Sequence, residues 1–237
     1  MKIMPLLLAG AVALTSGNLW AASGRQDSIE RLQLSSEVLH SMMNTPDKGI
    51  PEEVMNGAKC IVVVPHLVKG GFVVGGEHGR GIASCRTATG WSAPAFISVG
   101  GGSWGLQIGV EGVDLVMVVM NEKGLQHLLS DKFQLSGDAS ASAGPVGRHA
   151  SAGTDWKMTT EVLTYSRSHG VFAGITLNGA VVQQDADSTR AVYGGDPSFH
   201  AILAGNVRAP RSTRTFMQAI AEMGRSGTVA QADSDQQ

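Results

Sequence analysis

The sequence predicts an α+β fold: a curved, mainly antiparallel β-sheet system, sandwich- or barrel-like, with flanking helices. Three observations predict it. Between Lys59 and Met120, Val/Ile-rich runs such as Cys60-Ile61-Val62-Val63-Val64-Pro65 alternate with paired and triple glycines. Short β-branched runs bounded by Gly or Pro read as buried strands. Glycine is 31 of 237 residues, about twice the usual ~7%, and glycine within strands marks bulges, bends or close backbone approach. Third, amphipathic helical patterns stand on either side of this body.

The first pattern runs from Asp27 to Met43, where Ile29, Leu32, Leu39, Met42 and Met43 share one arc. Asp27 or Ser28 caps it, and Thr45-Pro46-Asp47-Lys48-Gly49 ends it. Pro51-Glu52-Glu53 opens a short second helix, with acids near the positive end of its dipole. Strands are predicted at 59–64, 71–77, 80–86, 94–99, 104–110 and 113–120. Asn121 caps a short helix through Leu129. The Ser/Ala alternation from Ala139 to Ala143 suits a thin, closely packed strand. A hairpin follows at 160–167 and 171–183, then helices near 188–193 and 197–203 and a last helix from Pro210 to Met223. No linker divides the body, so one domain is expected over 23–225, with a polar tail over 226–237.

The amino terminus is expected to be a signal peptide over 1–22: Lys2, a short apolar run to Leu14, then the small residues Ala21-Ala22-Ser23. Export to a periplasmic or envelope location follows from it. Removing that segment leaves 17 basic and 20 acidic residues, net −3. So balanced a chain lacks the basic footprint of a nucleic-acid binder, and an anionic partner has to be met by a local patch. Cys60 and Cys85, the two cysteines, are either bridged or separately buried; an oxidising compartment favours the bridge.

Catalytic signatures are missing. Gly100-x-Gly102-x-x-Gly105 matches the spacing of a dinucleotide fingerprint, but that motif needs a helix at the glycines to receive the pyrophosphate. Here Leu106-Gln107-Ile108-Gly109-Val110 reads as strand. The seven histidines show no i,i+3 or i,i+4 pair, and no metal site or cofactor is expected. Neither is an enzyme.

Three features suit an anionic lipid. Lys69, beside Gly70 and Gly71 in a 65–71 loop, and Arg80, in a 77–81 turn, sit where backbone N–H groups can form an anion nest. Gly144-Pro145-Val146-Gly147-Arg148 presents Arg148 on a rigid turn, either to a phosphate or to Asp138 or Asp155. In the last helix Arg211, Arg214 and Arg225 lie opposite Phe216, Ile220 and Met223, the pattern of a membrane-surface helix or of a core helix with a solvated back.

Longer stretches carry a family likeness. Lys48-Gly49-Ile50-Pro51, Lys69-Gly70-Gly71-Phe72-Val73-Val74-Gly75-Gly76, Gly79-Arg80-Gly81 and Trp91-Ser92-Ala93-Pro94-Ala95 resemble the SYLF lipid-binding domain. So do Gly105-Leu106-Gln107-Ile108-Gly109, Ala143-Gly144-Pro145-Val146-Gly147-Arg148 and Tyr165-Ser166-Arg167-Ser168-His169-Gly170-Val171-Phe172. The likeness extends in order over about 27–205. It implies a non-enzymatic phospholipid-binding module. In eukaryotic members that module is linked to phosphoinositides, membrane remodelling and actin, and to a basic N-terminal helix. The matching helix here, 27–43, is not basic, and actin is an unlikely partner for an exported chain.

The expected function is therefore binding of anionic phospholipid or a membrane surface in the bacterial envelope. Lys69, Arg80, Arg148 or Arg167 would hold the head group, and Phe72, Trp104 or Phe172 would lie against the acyl chains. The alternative is a structural or protein-interaction module that does not bind lipid; an unrecognised hydrolase is the third reading.

Overall fold

A computed structural model describes residues 16–43, 49–71, 74–104, 109–130, 132–146, 160–168, 171–175, 177 and 179–223. Its sheet is organised around nested strands. β1 (Cys60–Gly71) pairs antiparallel with β2 (Val74–Thr87). The chain then flanks that hairpin on both sides, with β4 (Ala95–Trp104) on β2 and β5 (Gly109–Val119) on β1. Beyond β5 lie β8 (Val162–Ser168) and β7 (Ala141–Ala143); beyond β4 lie β10 (Val181–Gln184) and β6 (Lys132–Gln134). Short strands β3 (Gly90–Trp91) and β9 (Val171–Gly174) add to β2 and β8. Of the pairings between described strands, only β7 with β8 is parallel. The whole is a curled half-barrel with helices against it, the α+β fold that the sequence predicts.

Both faces of the central strands are covered, which is why β1 reads as continuous valine rather than as alternation. Ile61, Val63, Ile82, Phe96, Val116, Val118 and Leu163 point to one face, under Leu32 and Leu39 of α1 (Ser16–Met43) and Phe216 and Ile220 of a C-terminal helix at 214–223. Val62, Val64, Ala83, Ile97, Leu115 and Met117 point to the opposite face. There they meet Leu128 of α3 (Glu122–Leu129) and Phe199, Ile202 and Leu203, from α5 (Phe199–Leu203). Each such Val, Leu, Ile, Phe or Met side chain contributes about 1.5–3 kcal/mol on leaving water. α2 (Glu52–Gly57) and α4 (Ala186–Tyr193) complete the helical cover. Asn121 caps α3 by accepting from the Gly124 N–H at 2.9 Å, as its sequence predicts.

β1 carries a bulge. The β1 register shifts between Val64 and Leu67, at Pro65-His66, where His66 adopts φ 53°. Beside the bulge β1 and β2 pack closely: a Cβ at Gly81 would sit 2.4 Å from the Val63 carbonyl oxygen. Only glycine fits there. Cys60 and Cys85 are register partners across β1 and β2 and form a disulfide on the same face as Val62 and Met117.

Several predicted boundaries are corrected. The sequence reading ends the first strand at 64, starts the next at 71 and turns at 77–81, whereas β1 runs on through Gly70-Gly71 and β2 runs unbroken from Val74 through Gly81 to Thr87. Neighbouring strands on both sides supply the ladder partners that hold these weak strand formers extended. Lys69 and Arg80 therefore lie within strands, not in the predicted loop and turn. Trp104 ends β4 rather than starting a strand over 104–110, and the predicted strand 171–183 divides into β9 and β10. α1 begins at Ser16, ahead of the predicted Asp27; the added stretch holds no proline, and the helix runs through Gly17 and Gly24 despite their low helix propensity. Residues 1–15 of the expected signal segment and the expected tail lie outside the described residues.

Candidate functional site

The predicted cationic residues separate into two groups. Lys69 and Arg167 are committed inside the fold. Lys69 faces Glu77 across the β1–β2 register, 3.7 Å apart, and Glu77 is buried. Arg167 lies opposite Asp114 and pairs with it at 2.9 Å. The same Asp114 accepts the His66 N–H at 3.1 Å, so the pair braces the bulge. Gly70 and Gly71 stand in register with Gly76 and Gly75; their backbone is spent on the ladder and forms no anion nest. Arg80 is exposed on β2, opposite Ser98. Trp104 ends β4 and Phe172 lies in β9, with both side chains outside the described set. Phe72, Arg148 and Arg225 also lie outside the described residues.

The second group gathers at the C-terminal helix. Pro210 starts a 3₁₀ turn, Arg211–Thr213, that runs into the helix at 214–223. Thr213 secures this start by donating its hydroxyl to the Pro210 carbonyl at 2.8 Å. Phe216, Ile220 and Met223 are buried in the core beneath the helix. The apolar stripe is thus consumed by the fold, and the helix does not present it to a bilayer. Arg211 and Arg214 remain exposed, and Arg208, just upstream, is exposed as well. Sequence reasoning overlooked Arg208; the signal was the three-residue spacing Arg208, Arg211, Arg214.

These three arginines line an open groove of about 1140 Å³ between the end of α4 and the 207–217 segment. Its remaining wall includes Tyr193, Pro197, Val207 and Met217. Tyr193 is held in place by donating its hydroxyl to the Pro94 carbonyl at 2.7 Å, and burial raises its pKa well above the ordinary tyrosine value. The groove's carboxylate, Asp196, meets Arg190 at 3.7 Å. Among the described residues, Arg208, Arg211 and Arg214 have no ion pair. Three uncompensated guanidinium groups beside apolar wall can hold a phosphate or carboxylate by charge-assisted hydrogen bonds.

Two buried charged clusters act structurally. Arg31 of α1 pairs with Asp185, the N-cap of α4, at 3.0 Å, and lies 5.6 Å from the centroid of the Phe96 ring. Burial lowers the Arg31 pKa and would by itself raise that of Asp185. Hydrogen bonds from the Ser188 N–H, the Ser188 hydroxyl and Arg31 outweigh burial and leave the carboxyl below its ordinary value. Buried Glu161 accepts from Lys123 at 2.7 Å and from the Ser140 N–H at 3.2 Å, tying α3 and the approach to β7 onto β8.

A curled α+β half-barrel with such a surface has known relatives. The family model described as "Ysc84: Las17-binding protein actin regulator" matches residues 100–223, and the chain belongs to this SYLF-domain family. It is similar to rat "SH3 domain-containing YSC84-like protein 1", 34% identical over 179 residues, 75% of this chain and 52% of the relative. It is likewise similar to budding-yeast "Protein YSC84", 33% identical over 178 residues, 73% of this chain and 38% of the relative. The Xenopus laevis YSC84-like protein 1 is 32% identical over 183 residues, 76% of this chain and 54% of that protein. The chain thus spans about half, or less, of the length of these curated relatives.

Proposed function

We propose that the protein binds anionic phospholipid at a membrane surface of the bacterial envelope, after export, and transforms neither lipid nor any other substrate. The observation that carries this reading is the concentration of unpaired arginine at 208–214 on a chain of near-neutral charge. Elsewhere, cations that the sequence offered for a head group, Lys69 and Arg167, neutralise acids of the fold. A cationic patch attracts an anionic surface over about a Debye length, ~10 Å at 0.1 M salt. Such binding weakens as salt rises.

Vesicle flotation of the purified chain tests the reading. Vesicles of phosphatidylglycerol in phosphatidylcholine are expected to carry the protein upward, less so at 0.5 M than at about 0.05 M salt. Vesicles of phosphatidylcholine alone should leave it behind. Indifference to both compositions at low salt overturns the proposal. A second reading, a protein-interaction module, rests on the family description, which speaks of Las17 binding and actin regulation, and on a yeast relative called LAS seventeen-binding protein 3. Retention of the chain on filamentous actin, with no response to vesicles, would favour it.

A further inference from the structure

We infer that the groove beside the C-terminal helix is the seat of a single phosphate-bearing amphiphile. Arg208, Arg211 and Arg214 take its phosphate, and Val207, Pro197 and Met217 take the first part of its chain. This assignment rests on the anionic-phospholipid reading and gives it a site. Three observations lead there.

The first is charge. The three guanidinium groups open onto one groove, and its carboxylate already meets Arg190. Guanidinium forks bind phosphate oxygens two at a time, and several forks around one concavity favour a tetrahedral anion over a flat, diffuse surface. The second is size and lining. About 1140 Å³ exceeds what a lone phosphate fills and lies just above the ~300–1,000 Å³ of pockets that take drug-sized ligands. The wall combines arginines with apolar side chains, matching a molecule with a charged end and a hydrocarbon end. The third is the fate of the helix. Phe216, Ile220 and Met223 are held in the core, so this helix cannot bring its apolar stripe to the acyl region. The apolar part of the ligand has to come to the groove instead. Pro197, Pro210 and the anchored Tyr193 hydroxyl hold the walls in place beforehand, which lowers the ordering cost of binding.

The test titrates the full chain, by amide chemical shifts, with dihexanoyl phosphatidic acid below its micelle concentration and, separately, with inorganic phosphate. The lipid is expected to move resonances of 207–217 and to bind at least about tenfold tighter than phosphate. Arg211→Gln/Arg214→Gln should weaken it by about tenfold or more, while Lys59→Gln/Lys132→Gln, an equal charge change at exposed sites elsewhere, stays within about twofold. Equal affinity for lipid and phosphate would show an anion site without an amphiphile and overturn the assignment. Shifts confined to other surfaces, equal weakening by both double variants, or tighter binding of an acidic peptide would also overturn it. Flotation on phosphatidylglycerol vesicles separates this from the broader reading. If flotation persists and both double variants reduce it alike, lipid binding stands and the groove falls. If the short-chain lipid seats in the groove but no vesicle carries the protein, the groove stands and the membrane reading falls.

Discussion

Arg31 and Arg211 carry the same guanidinium on helices that pack over the same face of the sheet, and the fold uses them in opposite ways. Arg31 is 6% exposed, paired with Asp185 and set beside Phe96. Arg211 is exposed, has no ion pair among the described residues, and lines a groove. The first is bound into the architecture that holds α1 and α4 together; the second is left available. Sequence does not name the partner of Arg31, because Asp185 lies 154 residues further along the chain. What separates them is whether the fold brings an acid within reach.

The largest predicted effect breaks the buried member of this comparison. Arg31→Ala strands Asp185 without its cation, and removal of one partner of a buried pair typically costs about 3–5 kcal/mol. Urea unfolding should show a midpoint lowered accordingly. A change under about 1 kcal/mol would mean that Asp185 is adequately held by Ser188 alone, and that Arg31 is no more committed than Arg211. Next in size is the disulfide. Its cysteines are 25 residues apart, and closing a loop of that order stabilises by about 3 kcal/mol in the chain-entropy account. Cys60→Ala/Cys85→Ala should lower stability by roughly that amount under non-reducing conditions, with little change once dithiothreitol is added to both proteins.

The pair also has a pH signature. The Asp185 carboxyl is depressed in the fold, so the unfolded chain binds its proton more readily than the folded one. Its contribution is fully present above the unfolded value, ~3.9, and is lost as pH falls through the lower folded value. Asp185→Asn should cost about 1.5–3 kcal/mol at neutral pH, the worth of hydrogen bonds to a charged group. The variant should also flatten the acid limb of the stability profile below about pH 4. A limb as steep as the parent's would assign the acid sensitivity to other carboxylates.

The fold class, the order of the main elements and the cap at Asn121 were legible because each rests on local pattern. Strand ends were not, since the paired glycines that look like turns are held extended by partners far along the chain. Gly71, for instance, meets Gly75 on one side and Gly109 on the other. For the same reason Lys69 and Arg167 read as free cations: Glu77 and Asp114 face them only across a register, and for Lys69 that register resumes only beyond the bulge at Pro65-His66. Gly144 shows the limit most sharply. Its Gly-Pro sequence reads as a rigid turn, but a Cβ there would overlap the buried Tyr165 ring, 2.0 Å from its Cζ. Close packing across strands leaves no periodic trace.

The smallest predicted change in stability sharpens the comparison most. Arg211→Gln/Arg214→Gln removes two guanidinium groups that have no ion pair among the described residues. Surface substitutions away from caps and cores usually fall within about 0.5 kcal/mol. Two positive charges at a helix start oppose the helix dipole, so neutralising them should leave stability unchanged or raise it slightly. Thermal unfolding at low and high salt measures this directly. If the parent gains relative to the variant as salt rises, the arginines repel one another in the free protein, and that repulsion is what an anion would relieve. A loss of several degrees in the variant would instead show that they brace the fold as Arg31 does, and the distinction between committed and available cations would fail.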